Sequence, residues 1–401
     1  MREKAMANLD LQQLSPALAQ HALTNLVSGE PPAREILSLI SVGLDRDMRT
    51  FEREYFRPGS FVTSDETLGS TFKIVEAYYG GGKTHYLRLV EQTAHKHGFV
   101  TAFVGLKKDE CPLTRFDRIY SAVTEALTIP GGDSTKRGFA NLIRHWVEER
   151  SRGQEDPFDV LDKELDSLGD LPLMGLKVAL RHAVTALLAD DLETFEETLV
   201  YLTSGKIPQP LRRYGILQPI DTSTGSLALR TLAALIRKLG FAGFVLMLDE
   251  GDRSLSIVSS KDRRAASNNL VQLINETASA GAWPSTVLLY SIPSWAEFQD
   301  AFQTNQALIQ RTETTGFPLT PPATRIVLED RLHSHAAKKE FCIEVADRLT
   351  RIYKVAYPDN QLNESVARET AETIADQLTS DPSFRRRFIQ EFISALYKVS
   401  D

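Results

Sequence analysis

Apolar residues return at helical spacing near both ends of the chain, and strand-length apolar runs fall between them. Leu11, Leu14 and Leu18, then Ile36, Leu37 and Ile40, predict two short helices, because Gly29, Pro31 and Pro32 break a helix interior. Asp45 to Phe56 predicts a charged surface helix, and the run from Thr63 to Thr67 a loop. Thr71 to Ala77 then predicts a strand and Tyr78 to Gly82 a turn. Lys83 to His97 predicts a helix with Leu87, Val90 and Ala94 inward, and Phe99 to Leu106 a second strand. Strand, glycine turn, helix and strand make a βαβ unit, which implies a parallel sheet with a right-handed crossover.

From about 113 to 215 the spacing is helical throughout, with breaks at Pro130-Gly131-Gly132, Gly153 and Pro208-Gln209-Pro210. A helix from Ser226 to Leu239 leads to Phe244–Leu248, apolar at every position, as a parallel strand covered on both faces requires. A helix over about 264–280 leads to another strand, Thr286 to Ser291, and after Pro318 and Pro321-Pro322 three further helices are predicted over about 339–357, 362–378 and 382–398. The predicted organisation is a helical N-terminal segment 1–45, the first part of an α/β core 46–112, a helical insertion 113–215, the second part of the core 216–320, and a helical C-terminal lid 321–401.

Composition narrows the class. The 401 residues, 42% hydrophobic and 25% charged, exclude disordered and collagen-like chains. Cys111 and Cys342 match no metal-ligand spacing and read as free thiols of a reducing compartment. No stretch reaches the roughly 18–20 apolar residues of a spanning helix, and MREKAMANLDLQQLSP has no apolar signal core, so a cytoplasmic protein without membrane contact is expected. A net charge of −7 means that any nucleic-acid contact depends on a local patch.

Gly80-Gly81-Gly82-Lys83-Thr84 between a strand and a helix is the strongest chemical signal. Backbone amides of such a loop wrap anionic oxygens and the helix start adds its dipole; Lys83 neutralises the outer phosphates of ATP, and the Thr84 hydroxyl ligates Mg²⁺. The nucleotide-binding run is taken as Ala77, Tyr78, Tyr79, Gly80, Gly81, Gly82, Lys83, Thr84 and His85, with Ala77 where the full pattern has its first glycine. A positive φ at Ala77 would be costly. The second signal is Asp249-Glu250, at the end of an apolar strand. There Asp249 can hold Mg²⁺ through water and Glu250 can orient or deprotonate the attacking water. At the tip of the next strand, Ser291 either touches the γ-phosphate or the attacking water, or caps a turn. Arg311 either reaches a neighbouring subunit's nucleotide or is an exposed helix arginine. Arg385, Arg386 and Arg387 are the one basic cluster in a C-terminal region with 12 Lys and Arg against 13 Asp and Glu; they read as a DNA-phosphate contact, a γ-phosphate contact or a solvated helix face.

Three blocks carry a family resemblance: Val42–Asp47, Phe72–Val90 and Leu239–Glu250, the last with its Gly-Phe-Ala-Gly run at 240–243. Together they resemble the ATP-binding proteins of BREX-type bacterial phage-defence systems, the BrxD group. That resemblance implies a P-loop NTPase fold of the AAA+, additional-strand (ASCE) type, akin to origin-recognition and helicase-loader ATPases, that forms homo-oligomers and acts with DNA and other defence proteins. It places Val42 and Gly43 near the adenine, Lys83 and Thr84 on phosphates and Mg²⁺, and Asp249 and Glu250 in hydrolysis. The chain leaves little room after its lid for a winged-helix domain, which weighs against direct DNA contact.

Two function classes follow. One is an Mg²⁺-dependent ATPase, slow without a partner, that couples nucleotide state to DNA or partner proteins. The other is a nucleotide-dependent switch or scaffold that does not itself bind DNA. A small-molecule kinase fits less well, because Asp249-Glu250 supplies a water-activating acid and no acceptor-substrate motif is visible.

Overall fold

The structure, a computed structural model, describes residues 11, 13–30, 34–57, 69–107, 110–132, 136–250, 259–279, 281–316, 319–381 and 383–399. The predicted loop at 63–67 lies outside them. The chain divides into two compact units: a first of Met1–Thr50, Val75–Gln92 and Thr314–Asp401, and a second of Phe51–Ile74 and Thr93–Glu313.

The fold is mixed α/β. Among the described residues it has one mostly parallel sheet of six strands: β1 Ser70–Glu76, β2 Phe99–Leu106, β3 Leu127–Thr128, β4 Gly243–Glu250, β5 Thr286–Ile292 and β6 Arg325–Val327. The strand order is β3-β2-β4-β5-β1-β6, so β5 lies between the strand that precedes the glycine loop and the strand that ends in Asp249-Glu250. Strand β4 pairs in parallel with β2, from Phe99 opposite Gly243 to Leu106 opposite Glu250, and with β5, from Phe244 opposite Thr286 to Asp249 opposite Ser291. Phe244, Val245, Leu246 and Met247 are all fully buried, which explains the continuous apolar run: a parallel strand with both faces covered has no polar side.

The second unit's apolar core joins this sheet to the helices between β2 and β4. Tyr120 on the helix Phe116–Ala126 donates its buried hydroxyl to the Leu202 carbonyl of Leu192–Ser204 at 2.6 Å. Helical spacing does not reveal β3, a two-residue strand antiparallel to β2, because two residues carry no alternation.

In the first unit the helices Pro16–Ser28 and Arg34–Ile40 share one core with three C-terminal helices, His335–Ala356, Glu364–Leu378 and Phe384–Val399. Phe388, Phe392 and Leu396 fall on the buried face of the last of these, as their spacing predicts. Caps fix where the helices begin: Ser15 accepts from the Leu18 amide, Ser334 from Ala337 and Asn363 from Ser365. The helix Lys83–Lys96, which follows the glycine loop, is tied to this unit through a buried carboxylate. Asp47 accepts from the Tyr86 hydroxyl at 2.9 Å and from the Leu319 amide at 2.7 Å, while burial holds its pKa above the usual range.

Removing that carboxylate leaves two buried donors without an acceptor. Asp47→Ala is therefore expected to destabilise the protein by about 1–3 kcal/mol, and chemical denaturation of the two proteins checks it. An unchanged unfolding free energy would show that neither bond holds the helix.

Candidate functional site

The glycine loop closes on itself between β1 and the following helix. Gly80 has φ +74° and Gly82 φ +96°, while Asp190 and Ser285 are the non-glycine residues with positive φ among the described residues. Ala77 is thus not left-handed, and its methyl group costs no backbone strain at the position of the motif's first glycine. Gly81 is needed for a different reason: a Cβ there would come within 2.9 Å of the Ala77 Cβ and 2.7 Å of Glu329 Oε1. Lys83 is buried and donates to the carbonyls of Ala77 at 2.6 Å and Tyr78 at 3.3 Å, so its ammonium lies across the mouth of the loop. Tyr78 and Tyr79 point outward, 53% and 58% exposed. Thr84 opens the helix, where the dipole favours an anion.

Residues after β6 and on the last helix close over this loop. Arg385 donates to the Gly81 carbonyl and, at 2.8 Å, to the Leu328 carbonyl. Its Nε is buried and lacks a hydrogen-bond partner among the described residues. Burial also lowers the Arg385 pKa from its ordinary value, which the neighbouring Glu329 partly offsets. Glu329 accepts from the Tyr78 amide at 3.1 Å, and burial raises its pKa. The Phe341 ring has the guanidinium of Arg331 and that of Arg385 each 5.7 Å from its centre. An uncompensated buried guanidinium is costly. A triphosphate seated on the loop would relieve that cost and give Arg385 Nε an acceptor, so the residues present fit an anionic ligand.

Val42 and Gly43 lie in the same unit as the loop. The Val42 carbonyl accepts from Arg331 and the Ser41 carbonyl from Arg348, which also pairs with Glu344 at 2.8 Å. His85 Nε2 sits 2.7 Å from Ser41 Oγ, and burial pushes the imidazole pKa down to about 4.

Asp249, Glu250, Ser291 and Arg311 belong to the second unit. Asp249 and Ser291 stand in register at the tips of β4 and β5, and the fully buried Ser291 hydroxyl donates to the Asp249 carboxylate. The bond to the neighbouring acid is a contact of Ser291 that the sequence reading did not name. Glu250 ends β4 opposite Leu106, with its side chain outside the described residues. Arg311 is exposed on the short helix Gln306–Thr312.

The three consecutive arginines separate. Arg385 faces the loop, and Arg386 lies over the Tyr79 ring at 5.4 Å and donates to its hydroxyl at 2.8 Å. Arg387 pairs with Asp381 at 2.6 Å and Glu391 at 3.1 Å at the surface. Sequence reasoning missed Ser41, Glu329, Arg331 and Arg348. The only available signal was the Glu-Asp-Arg run at 329–331 after the proline cluster, which looks like any solvated helix start.

The family described as "BREX system ATP-binding protein BrxC/D" matches residues 14–401. No curated protein and no solved structure matches the chain. Among the described residues no helix is long and apolar enough to cross a membrane.

The environment of His85 sets a pH dependence. Its folded-state pKa of about 4 lies below the ordinary 6.5, so the neutral ring stabilises the fold fully above about pH 6.5, and that contribution is lost as pH falls toward 4. It amounts to at most on the order of 3 kcal/mol. Unfolding midpoints measured from pH 7 to 4 should fall more steeply for the wild type than for His85→Gln. Parallel curves would rule out the buried neutral imidazole.

Proposed function

The chain belongs to the BREX system ATP-binding protein family BrxC/D, and from that premise we propose that it is an AAA+-type ATPase that hydrolyses ATP and uses nucleotide state to change its engagement of DNA or of partner proteins in phage defence. The observation that carries this reading is the closure of Arg385, with its buried Nε lacking an acceptor among the described residues, over a glycine loop of the right local shape. The strand order supports it: β5 between β1 and β4 is the arrangement of P-loop ATPases with an additional central strand.

In this reading the amides of Gly81, Gly82 and Lys83 cradle the β-phosphate, and Lys83 releases the Ala77 and Tyr78 carbonyls to reach the outer phosphates. Arg385 senses the γ-phosphate from the lid. Mg²⁺, when bound, offsets phosphate charge; Thr84 and Asp249 are the residues to hold it, and the Ser291 hydroxyl fixes the rotamer of Asp249. Glu250 takes the proton of the attacking water. In the same reading Arg311, which is exposed, acts on the nucleotide of a second copy in a homo-oligomer.

A second reading has its own observation. Arg385 is turned to the loop, and Arg387 is already paired with Asp381 and Glu391, so the basic cluster is poorly disposed to neutralise DNA phosphates. This favours a switch whose partner subunit holds the DNA.

Lys83→Ala should weaken ATP binding by about tenfold or more, measured by calorimetry on the folded variant. Glu250→Gln should bind ATP normally and hydrolyse it on the order of a hundredfold more slowly. Wild-type turnover in Glu250→Gln would move the catalytic acid elsewhere. Direct DNA binding would weaken steeply with salt, and its log-log slope would flatten by roughly 0.9 for each phosphate that Arg386→Ala or Arg387→Ala leaves unneutralised. Absence of DNA binding at low salt in every nucleotide state would leave the switch reading.

A further inference from the structure

A chain with a net charge of −7 needs a local cationic patch to hold a polyanion, and Arg385, Arg386 and Arg387 do not form one. The helical part of the second unit does. Residues 171–189 and 198–220 contain Lys177, Arg181, His182, Lys206, Arg212 and Arg213, and neither stretch has an Asp or Glu. Arg181 is occupied by Asp162 and Asp166, and Lys177 by the Gly169 carbonyl at 3.0 Å. Lys206, Arg212 and Arg213 are exposed and meet no carboxylate among the described residues.

Two contacts bring the stretches onto one face. The Tyr214 ring centre lies 3.8 Å from that of His182, on the helix Met174–Leu188. The Gln218 carbonyl accepts at 3.2 Å from the Tyr201 hydroxyl, which stands 2.6 Å from where a Cβ of Gly175 would be, at the start of the same helix. Tyr214 to Gln218 thus runs back along that helix. Leu211 and Ile216 are buried on either side of the turn and Gly215 closes it with φ +82°, so Arg212, Arg213 and Tyr214 are held outward between two anchors. The Arg213 guanidinium stands 5.2 Å from the Tyr214 ring centre, yet the tyrosine is still 42% exposed. Burial first, then the charges of Arg181 and Arg213, lower the His182 pKa, so the field at this face is positive even where Arg181 is paired.

Cations alone would suit any polyanion. This face adds two aromatic rings beside its arginines, and that narrows the choice. A base in a duplex is stacked on both sides and offers nothing to a tyrosine ring, whereas an unpaired base can stack there while its flanking phosphates meet guanidinium groups. An acidic polypeptide would answer the charges and leave the rings without a planar partner.

We propose that His182, Arg212, Arg213 and Tyr214 form a contact site for single-stranded DNA on the helical part of the second unit. The choice of DNA rests on the reading that nucleotide state governs engagement of DNA; the single strand follows from the rings and the arginines of the face itself.

The test is fluorescence anisotropy of the full chain, with and without ATP and Mg²⁺, against a labelled oligothymidylate, a hairpin duplex, oligouridylate and polyglutamate over a range of salt. The wild type is expected to bind oligothymidylate more tightly than the other three. Arg212→Ala and Arg213→Ala should each weaken that binding and flatten its log-log salt slope by roughly 0.7. Tyr214→Ala should weaken it about fivefold or more with the slope unchanged, and Tyr214→Phe, which keeps the ring, should restore it. ATP affinity, measured by calorimetry, should be that of the wild type in all four variants, which shows that they are folded. Preference for the duplex or for polyglutamate, binding of oligouridylate without binding of the DNA strand, or wild-type affinity in Arg212→Ala and Tyr214→Ala would overturn the proposal while the DNA reading stands. Failure of the wild type to bind DNA of either form in any nucleotide state would overturn that reading, and the proposal with it.

Discussion

A loop that keeps its amides for an anion leaves its carbonyls to find donors elsewhere. In this chain Lys83 serves the carbonyls of Ala77 and Tyr78, and a lid arginine serves the next: Arg385 bonds the carbonyl of Gly81 and, with its other terminal nitrogen, the Leu328 carbonyl beside β6. The glycine content of the loop follows from the same constraint. Gly80 and Gly82 supply the left-handed turns, and Gly81 lets Glu329 and Ala77 approach closely enough for the Tyr78 amide to be capped.

That arrangement concentrates positive charge in a chain whose net charge is −7. Arg331 and Arg385 flank one phenylalanine ring, and Lys83 is buried in the loop itself. Glu329 and Glu344 answer part of this charge, and Glu329 is itself driven toward its neutral form by burial. Burial is the main cause of the lowered Arg331 and Arg385 pKa values, and the neighbouring carboxylates, Glu344 at Arg331 and Glu329 at Arg385, oppose it; an anionic ligand would act in the same direction as those carboxylates.

What could be read from the sequence was contiguous. The strand-loop-helix around Gly80–Thr84 is one unbroken stretch, Ser70 to Lys96, and the apolar run ending in Asp249 is another, and in each the hydrophobic pattern and turn chemistry point the same way. The long helices and the strands β1, β2, β4 and β5 were legible for that reason. β3 and β6, of two and three residues, are shorter than any period can mark. The lid contacts were not legible for another reason: Arg331 bonds a carbonyl 289 positions away, Arg385 one 304 away and Arg348 one 307 away. Locally each is an arginine in an amphipathic or charged stretch, where a solvated face is the ordinary outcome. Ser291 was singled out without its bond to Asp249, because parallel register, which sets the two residues opposite each other, is not written in either strand alone.

The lid arginines share a habit that bears on how such a site holds its geometry. Arg331, Arg348 and Arg385 all donate to main-chain carbonyls, at Val42, Ser41, Gly81 and Leu328. Side chains at the contacted positions take no part in these bonds, which end on main-chain oxygens. What the contacts do require is backbone shape. Gly43 must turn with positive φ beneath Arg331, and Gly81 must lack a Cβ beneath Glu329. These bonds thus constrain the conformation of the contacted segments more than their side chains. A guanidinium, with its rigid fork and permanent charge, suits that task better than any other side chain.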